Sequence, residues 1–409
     1  MTAAADATAG SEHPVPGRYR TLVILSVVEV LALTLWFSAS AVVPALEVDW
    51  GISSGGASWL TSAVQLGFVA GALVSAVLNL PDQTPAPRLI AASALGGAAA
   101  NGAVALFADG LDLATPLRFL TGFFLAGVYA PGVKLITSWF TQGRGFAIGT
   151  MVGALTLGSG SPHLINSLGD LDWQLVLAVG SGLAVLAAAL VLVLEDGPYA
   201  APSPPIDLGY AVRIFRDRPI RLANIGYFGH MWELYAVWAW LPLYLAASLG
   251  GGRGTALLSF FAIGVAGLAG SVVAGLVADR IGRTATTIIA LISSGASALA
   301  AASVFGAPAG AVVALALFWG FMVVADSAQF SAAVSELADS RYVGTALTIQ
   351  LSIGFLITVA SIRLVAELSS LWGWRWAFPV LAIGPLLGAW AMWRLRADPI
   401  SAKLANGAR

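Results

Sequence analysis

The ionisable residues inside long apolar stretches of the sequence include three acids and a histidine, namely Glu29, Glu233, Asp326 and His230. Each stretch has about 20 residues or more, enough to cross a bilayer as a helix. A charge inside such a span is costly and points to function. Burial disfavours the ionised carboxylate, and histidine exchanges its proton near neutral pH. We therefore expect these residues to load and release protons, the alternative being partners that serve packing alone.

His230 and Glu233 are three residues apart, which is close enough for a bond along one helix. Tyr227 and Trp240 fall on the same broad face of that helix, and Trp36 lies near the angular position of Glu29. These aromatic side chains could wall a substrate pocket. A lipid-interface belt is the alternative, but a belt gathers near helix ends and these residues run through the middle.

Further polar residues could contact a substrate or switch partners. Asp326 is followed about one turn later by Gln329, and Arg118 lies in an earlier apolar stretch. We expect Arg118 to contact substrate or to pair with Asp326. Lys134 lies about 160° around the helix from Arg118, so one straight helix cannot aim both at one point.

The composition excludes several classes of protein. The chain has 409 residues, of which 58% are hydrophobic and 10% charged, whereas a soluble domain carries about 25% charged residues. The absence of cysteine excludes disulfides and thiolate metal sites, and no phosphate-binding glycine loop is present. We expect no metal, no cofactor and no nucleic-acid partner.

The apolar pattern predicts twelve membrane-spanning helices. A proline-rich, basic interruption at 196–218 separates two six-helix bundles, 20–195 and 219–396, with tails at 1–19 and 397–409. The predicted helices are 20–46, 57–80, 87–108, 113–140, 144–168, 173–195, 219–247, 255–278, 284–305, 308–334, 342–368 and 374–396.

Lysine and arginine are distributed unevenly between the two sides of this topology. Most lie in segments on the side of the two chain ends, whereas the opposite loops carry mainly acids and one clear base, Arg253. Short loops rich in lysine and arginine remain in the cytoplasm. We therefore expect a multi-pass protein of the cell (inner) membrane with both termini cytoplasmic.

The two bundles echo each other in sequence. Glu29 and Trp36 are seven residues apart, as are Glu233 and Trp240, and an offset of 204 relates the pairs. The same offset carries Gly71 onto Gly275. These anchors indicate an internal duplication.

A short basic loop between the eighth and ninth predicted helices carries the pattern Gly-x3-Asp-Arg-x-Gly-Arg. It resembles the signature loop of the major facilitator superfamily, and Arg118-x3-Gly122 is similar to that family's fourth-helix pattern. The resemblance implies that the acid and arginines latch cytoplasmic helix ends together. The first half carries a degenerate copy, with Ser75, Ala76 and Asn79 at the offset positions. The implied latch residues are Gly275, Asp279, Arg280, Gly282 and Arg283.

The resemblance also implies a fold and a function. The fold would be all-α, with twelve helices in two pseudo-symmetric six-helix halves, and helices one, four, seven and ten would line a central cavity. The function would be secondary active transport of a small molecule by alternating access, in a monomer embedded in the bilayer. The acids on cavity helices favour protons as the coupling ion.

The substrate class stays open at this stage. A small organic or inorganic anion could be held by Arg118 and Lys134, although the arginine pair of nitrate porters is missing. An amphipathic or cationic compound could be held by the acids and aromatics, although the Gly-Pro pair of drug antiporters is missing from helix five. A non-transporting receptor or scaffold is the alternative function, and the lack of a sizeable soluble domain argues against it. Catalysis is not expected, because no nucleophile–base arrangement is evident beyond His230 and Glu233.

Overall fold

A computed structural model of the chain describes residues 16–78, 80–167, 172–200 and 215–408. Most of the predicted N-terminal tail and of the linker 196–218, and also Asn79, lie outside these residues. Twelve long helices follow one another along the chain: α1 Arg18–Ala41, α2 Ser54–Val77, α3 Ala86–Phe107, α4 Leu111–Thr137, α5 Arg144–Ser167, α6 Trp173–Val191, α7 Arg218–Leu249, α8 Arg253–Ile281, α9 Arg283–Val304, α10 Ala309–Leu337, α11 Val343–Trp372 and α12 Trp374–Arg396.

The twelve-helix all-α architecture confirms the predicted fold class. Within the described ranges, nine helices are long and apolar enough to cross a membrane. In α2 the apolar part is the shorter segment Trp59–Ser75. The first predicted helix is too long, because α1 ends at Ala41 and a short separate helix, Val43–Trp50, follows with proline at its start. Proline has no N–H and cannot continue the preceding helix.

Three of the described helices depart from regular α geometry inside their spans. One of them is α12, which contains a 3₁₀ turn at Pro379–Ala382. In α8 the segment Phe261–Ala266 is a π-helical turn. In α10 the regular helix stops at Ala325 and restarts at Ser327, so the break falls on Asp326. Such irregularities free backbone groups and redirect side chains, and they are frequent at functional sites.

Small residues let helices of one half cross at close range. In the first half, a Cβ added to Gly67 or Gly122 would overlap a backbone oxygen of the facing helix in the α2–α4 pair. In the second half, Gly270 and Gly320 stand in the same relation in the α8–α10 pair. The repeated crossing shows that the two halves share one packing scheme.

The halves meet along two seams. In the first, α5 lies on α8 so closely that a Cβ added to Gly149 would be 2.6 Å from the Ser271 carbonyl oxygen. In the second, α2 lies on α11, where the rings of Phe68 and Phe355 are 4.2 Å apart. The seams enclose the space between the halves.

Candidate functional site

A narrow central cavity lies between the two halves. The volume in which the centre of a water molecule fits is about 30 Å³, which is room for about two water molecules. The cavity must therefore expand to hold an organic molecule. The lining residues are Leu33, Trp36, Phe68, Leu125, Tyr129, Val152, Leu155, Tyr227, Met231, Leu234, Tyr235, Trp238, Val324, Ser327, Leu351 and Phe355.

Aromatic rings from both halves pack across this cavity. The ring centroids of Trp36 and Phe355 are 5.0 Å apart, and those of Tyr235 and Phe355 are 4.9 Å apart. Trp36 and Tyr227 thus lie where a substrate pocket was expected. Trp240 is outside the lining: its indole N–H donates to the Ile362 carbonyl oxygen at 2.9 Å, and its ring lies beside that of Trp374.

Glu29 is completely buried in the first half, and neither of its carboxylate oxygens has a hydrogen-bond partner among the described residues. Its carboxyl lies against α4, because a Cβ added to Gly132 would be 2.6 Å from Glu29 Oε1. A buried ionised carboxylate without partners is strongly unfavourable.

Glu233 is equally buried but has partners on both oxygens. The Trp319 indole N–H donates to Oε1 at 2.8 Å, and the Ser294 hydroxyl donates to Oε2 at 2.7 Å. This carboxyl joins α7 to α9 and α10. The sequence does not predict either partner. The one feature that could have indicated them is the presence of a tryptophan and a serine in the middle of apolar spans.

The expected bond between His230 and Glu233 is wrong. His230 Nδ1 lies 2.8 Å from Asp326 Oδ1, and both side chains are buried. Three residues on a helix differ by about 60° in direction, which is enough to aim His230 and Glu233 at different neighbours. The break in α10 places Asp326 next to His230.

Arg118 does not pair with Asp326, and the described lining of the cavity does not include it. Its guanidinium donates to the carbonyl oxygens of Leu35 (2.9 Å) and Trp36 (2.6 Å) on α1 and to Asn101 Oδ1 (2.7 Å) on α3. Because all these partners belong to the first half, Arg118 fastens α1, α3 and α4 together. The expectation that it contacts substrate is not supported by this geometry.

The signature loop joins the two halves at the face where α1 begins and α12 ends, called the terminal face below. The Asp279 carboxylate accepts from the backbone N–H groups of Gly145 (3.2 Å) and Phe146 (3.1 Å) at the start of α5. A carboxylate at a helix N-terminus is favoured by the exposed N–H groups and by the helix dipole. Gly275 lets α8 approach Gly145 at backbone distance.

Arg283 is the buried centre of this loop. It donates to Asp279 Oδ1 (2.8 Å), Gln329 Oε1 (3.0 Å) and Glu336 Oε1 (2.9 Å). Gln329 thus belongs to the latch, and its predicted role in substrate binding is not supported. The two remaining motif residues frame the turn, since Gly282 has a left-handed φ of 98° and Arg280 is exposed.

A second cavity opens at the terminal face. Its space for water centres is about 300 Å³, and Lys134, Arg144, Arg341 and Asp196 contribute to its walls. The Lys134 ammonium donates to the Pro81 carbonyl oxygen at 2.6 Å. Lys134 therefore lies in this vestibule and outside the described lining of the central cavity.

Comparisons with known proteins agree with this arrangement. The chain is 26% identical over 253 residues to the MFS-type transporter pynF of Aspergillus niger, an alignment that covers 60% of this chain and 56% of the relative. The chain thus spans little more than half the length of this curated relative. The fold is similar to that of the proton:xylose symporter XylE solved with 6-bromo-6-deoxy-D-glucose, with a TM-score of 0.74, 14% identity and coverage of 93% of this chain and 96% of that one.

The family comparison covers nearly the whole chain. The model of the Major Facilitator Superfamily matches residues 25–224 and again residues 223–409, one match in each half. Together with the twelve helices and the latch, this shows that the chain belongs to the major facilitator superfamily of membrane transporters.

Proposed function

We propose that this protein is a proton-coupled secondary transporter for an amphipathic organic compound. The observation that carries the proton coupling is Glu29, fully buried with both carboxyl oxygens unpaired. An acid in this setting can lose its proton only when water or a new partner reaches it. Rocking of the halves supplies that change, so proton release and alternating access are linked.

The cavity supports the substrate class. None of its described lining residues is Asp, Glu, Lys or Arg, and the walls are aromatic and aliphatic with a few hydroxyl and indole N–H groups. Such walls suit a compound with apolar surface and a few hydrogen-bonding groups. A small anion is less well suited, because Arg118 is engaged within the first half and Lys134 lies in the vestibule.

The other candidate proton carriers each have a close polar neighbour in this conformation. Glu233 accepts two hydrogen bonds, and His230 lies beside Asp326. We assign them a supporting role in joining helices of the second half, with the His230–Asp326 pair as the second candidate for proton binding. The positive-inside pattern favours a cytoplasmic terminal face, and with that orientation the latch would close the cytoplasmic entrance.

The first experiment identifies a ligand. We would measure the thermal stability of the purified protein at pH 5.5 and pH 8 with small anions, organic acids, lipophilic cations and neutral aromatic amphiphiles. A ligand that binds the native state raises its melting temperature by mass action. We expect neutral or weakly basic amphiphiles to stabilise the protein and small anions to have no effect.

The second experiment tests coupling with that ligand in proteoliposomes. Glu29→Gln should retain exchange of labelled for unlabelled ligand but lose accumulation driven by an imposed pH gradient. Glu367→Gln, at an exposed glutamate of α11, is the control and should behave like the wild type. Undiminished accumulation by Glu29→Gln would place the proton elsewhere. Binding without flux under any condition would favour the receptor or scaffold.

A further inference from the structure

The segment that follows α12 folds back against the helices that carry the latch. It spans Pro399–Gly407, called the tail segment below, and it packs against α8, α10 and α12. The side chain of its Leu404 is completely buried and belongs to the main apolar core. Burial of a leucine side chain favours the docked position of the segment, because it removes apolar surface from water.

Polar contacts fix the beginning of the tail segment. Asp398, the residue before it, accepts from the Ile400 N–H at 3.2 Å and lies 3.5 Å from a guanidinium nitrogen of Arg218 at the start of α7. The buried hydroxyl of Ser401 donates to the Arg396 carbonyl oxygen at 3.2 Å. The tail segment is therefore attached at its first residues as well as through the buried leucine.

The tail segment also donates a hydrogen bond to the latch. The backbone N–H of Ala405 donates to Glu336 Oε2 at 2.9 Å, and Arg283 donates to Glu336 Oε1 at 2.9 Å. Arg283 in turn donates to Asp279, whose carboxylate holds the start of α5 in the other half. Because both oxygens of Glu336 are engaged, the bond from the tail segment fixes the direction in which Oε1 is presented to Arg283.

The backbone at this contact adopts a conformation that is unfavourable for one of its residues. Ala405 and Asn406 have left-handed φ angles of 48° and 54°. Asparagine visits this region readily, but in alanine the Cβ comes too close to the following carbonyl oxygen. Such residues persist only where the surrounding structure fixes them, and they are frequent in switch regions. The bond between Ala405 and Glu336 is therefore formed at the cost of local strain, which favours release of the segment.

We propose that the tail segment is a positioning element of the latch, which keeps Arg283 in place by holding Glu336. Docking of the segment favours closure of the terminal face. Its release weakens that closure although every side chain of the latch is still present. The effect is local, so the opposite face should not respond. The proposal concerns the control of access alone and depends neither on the substrate nor on the residue that carries the proton.

The test measures access to a single thiol from each side of the membrane. The chain contains no cysteine, and Ser327→Cys places a thiol in the wall of the central cavity. The protein is reconstituted in proteoliposomes, and a maleimide that cannot cross the membrane is supplied at one face or the other. Variants are compared at the same pH, 6.5 or 7.5, so that the ionised fraction of the thiol cancels.

Two substitutions at one position isolate the hydrogen bond. Ala405→Pro removes the N–H that donates to Glu336 and cannot adopt the left-handed φ. With it, the thiol should react about two- to tenfold faster from the terminal face. Ala405→Gly keeps the N–H and adopts this φ without strain, so the reaction should be no faster than in the parent. Leu404→Asp should act like Ala405→Pro, and Lys403→Ala, at an exposed position of the segment, like the parent.

Two further measurements separate positioning of the latch from a contribution to stability alone. Labelling from the opposite face should be unchanged, and Ala405→Pro should add little in the Asp279→Ala background, because both act through one chain of hydrogen bonds. Removal of residues 399–409 should accelerate labelling from the terminal face as Ala405→Pro does. Unchanged labelling from the terminal face after Ala405→Pro or after this removal would overturn the proposal. Equal acceleration at both faces, or a fully additive effect with Asp279→Ala, would overturn it as well.

Discussion

At the scale of single residues, two buried glutamates differ mainly in their partners. Glu29 and Glu233 occupy equivalent positions in the two sequence repeats and are both buried. Glu29 lacks hydrogen-bond partners among the described residues, whereas Glu233 accepts from Trp319 and Ser294. The two repeats therefore differ in the surroundings of this acid: in the second half it joins helices, whereas in the first half its carboxyl has no partner among the described residues.

The close approach of Gly132 to Glu29 leads to a prediction with a definite sign. In Gly132→Ala the new Cβ would be 2.6 Å from Glu29 Oε1 and 3.5 Å from the Met151 sulfur, so the carboxyl must move. Overpacking costs about 1–3 kcal/mol. We expect a lower melting temperature, which adding Glu29→Ala should largely restore.

The control is Gly182→Ala on α6, where nothing lies within 4 Å of an added Cβ. Replacing an exposed helical glycine by alanine stabilises a helix by about 1 kcal/mol. Gly182→Ala should therefore raise the melting temperature. A decrease of equal size in both variants would show that Glu29 is not the obstacle at Gly132.

The bond between Trp319 and Glu233 predicts a loss of stability. Trp319→Phe keeps an aromatic ring in the core but leaves Glu233 Oε1 without its 2.8 Å donor. An unsatisfied buried acceptor costs about 1–3 kcal/mol. We expect a lower melting temperature, whereas Trp390→Phe, at an exposed position of α12, should change it little. Equal melting temperatures for the two variants would contradict the structural role of this bond.

The sequence identified the buried acids but not their partners. Glu29, Glu233 and Asp326 stand out because charges are rare in apolar spans, and all three are buried. Partners such as Ser294, Trp319 and Asn101 are ordinary residues of their helices, and only tertiary packing brings them together. The same limit explains why His230 was paired with Glu233: helical spacing gives distance along one helix, whereas Asp326 arrives from another.

At the scale of helices, the number, order and approximate ends of the spans could be predicted because apolar length and loop charge determine them. The break in α10 and the π turn in α8 could not, since neither contains proline within the irregular residues. Trp240 and Gln329 were expected at the cavity but lie beside Trp374 and in the latch. The angular position of a residue around its helix does not say how far along the helix axis it lies from the cavity.

The latch predicts how one element controls access. Asp279→Ala removes the acceptor for the N–H groups of Gly145 and Phe146 and releases α5 from α8 at the terminal face. A thiol placed in the wall of the central cavity by Ser327→Cys should then react faster with a maleimide, because opening of the halves exposes it. Charge-assisted hydrogen bonds contribute about 1.5–3 kcal/mol, so the increase should be tenfold or more.

The matched control for the latch is Asp339→Ala. Asp339 is bonded to Arg341 within one loop of the second half, and these hydrogen bonds lower the pKa of its carboxyl to about 2. Asp339 is therefore ionised at every pH used for labelling. Like Asp279 it carries a negative charge, but its bonds to Arg341 do not connect the two halves. Equal acceleration by Asp279→Ala and Asp339→Ala would mean that loss of any acid at this face loosens it.

At the scale of the whole molecule, the two halves are in contact at two opposite faces. The latch closes the terminal face, and on the other side the guanidinium of Arg363 on α11 lies 4.9 Å from the ring centroid of Trp59 on α2. Between them, the aromatic rings around Phe355 close the central cavity. Alternating access requires that each face can open while the other stays closed.

This arrangement predicts that labelling depends on the side from which the reagent comes. The assay uses proteoliposomes that contain the Ser327→Cys protein and a maleimide that cannot cross the membrane. When this reagent is supplied at the face opposite the latch, we expect it to react about two- to fivefold faster if Arg363→Ala is added. The size follows because an exposed cation–π contact contributes about 0.5–1 kcal/mol. The same reagent supplied at the terminal face should show no increase in Arg363→Ala but should react faster in Asp279→Ala. Arg253→Ala, at an exposed arginine of the same outer face, is the control for loss of charge. If Asp279→Ala or Arg363→Ala alone opened the cavity to reagent from both faces at once, the two halves would be separating as a whole. Rocking of the halves about a central site would then be the wrong description of this transporter.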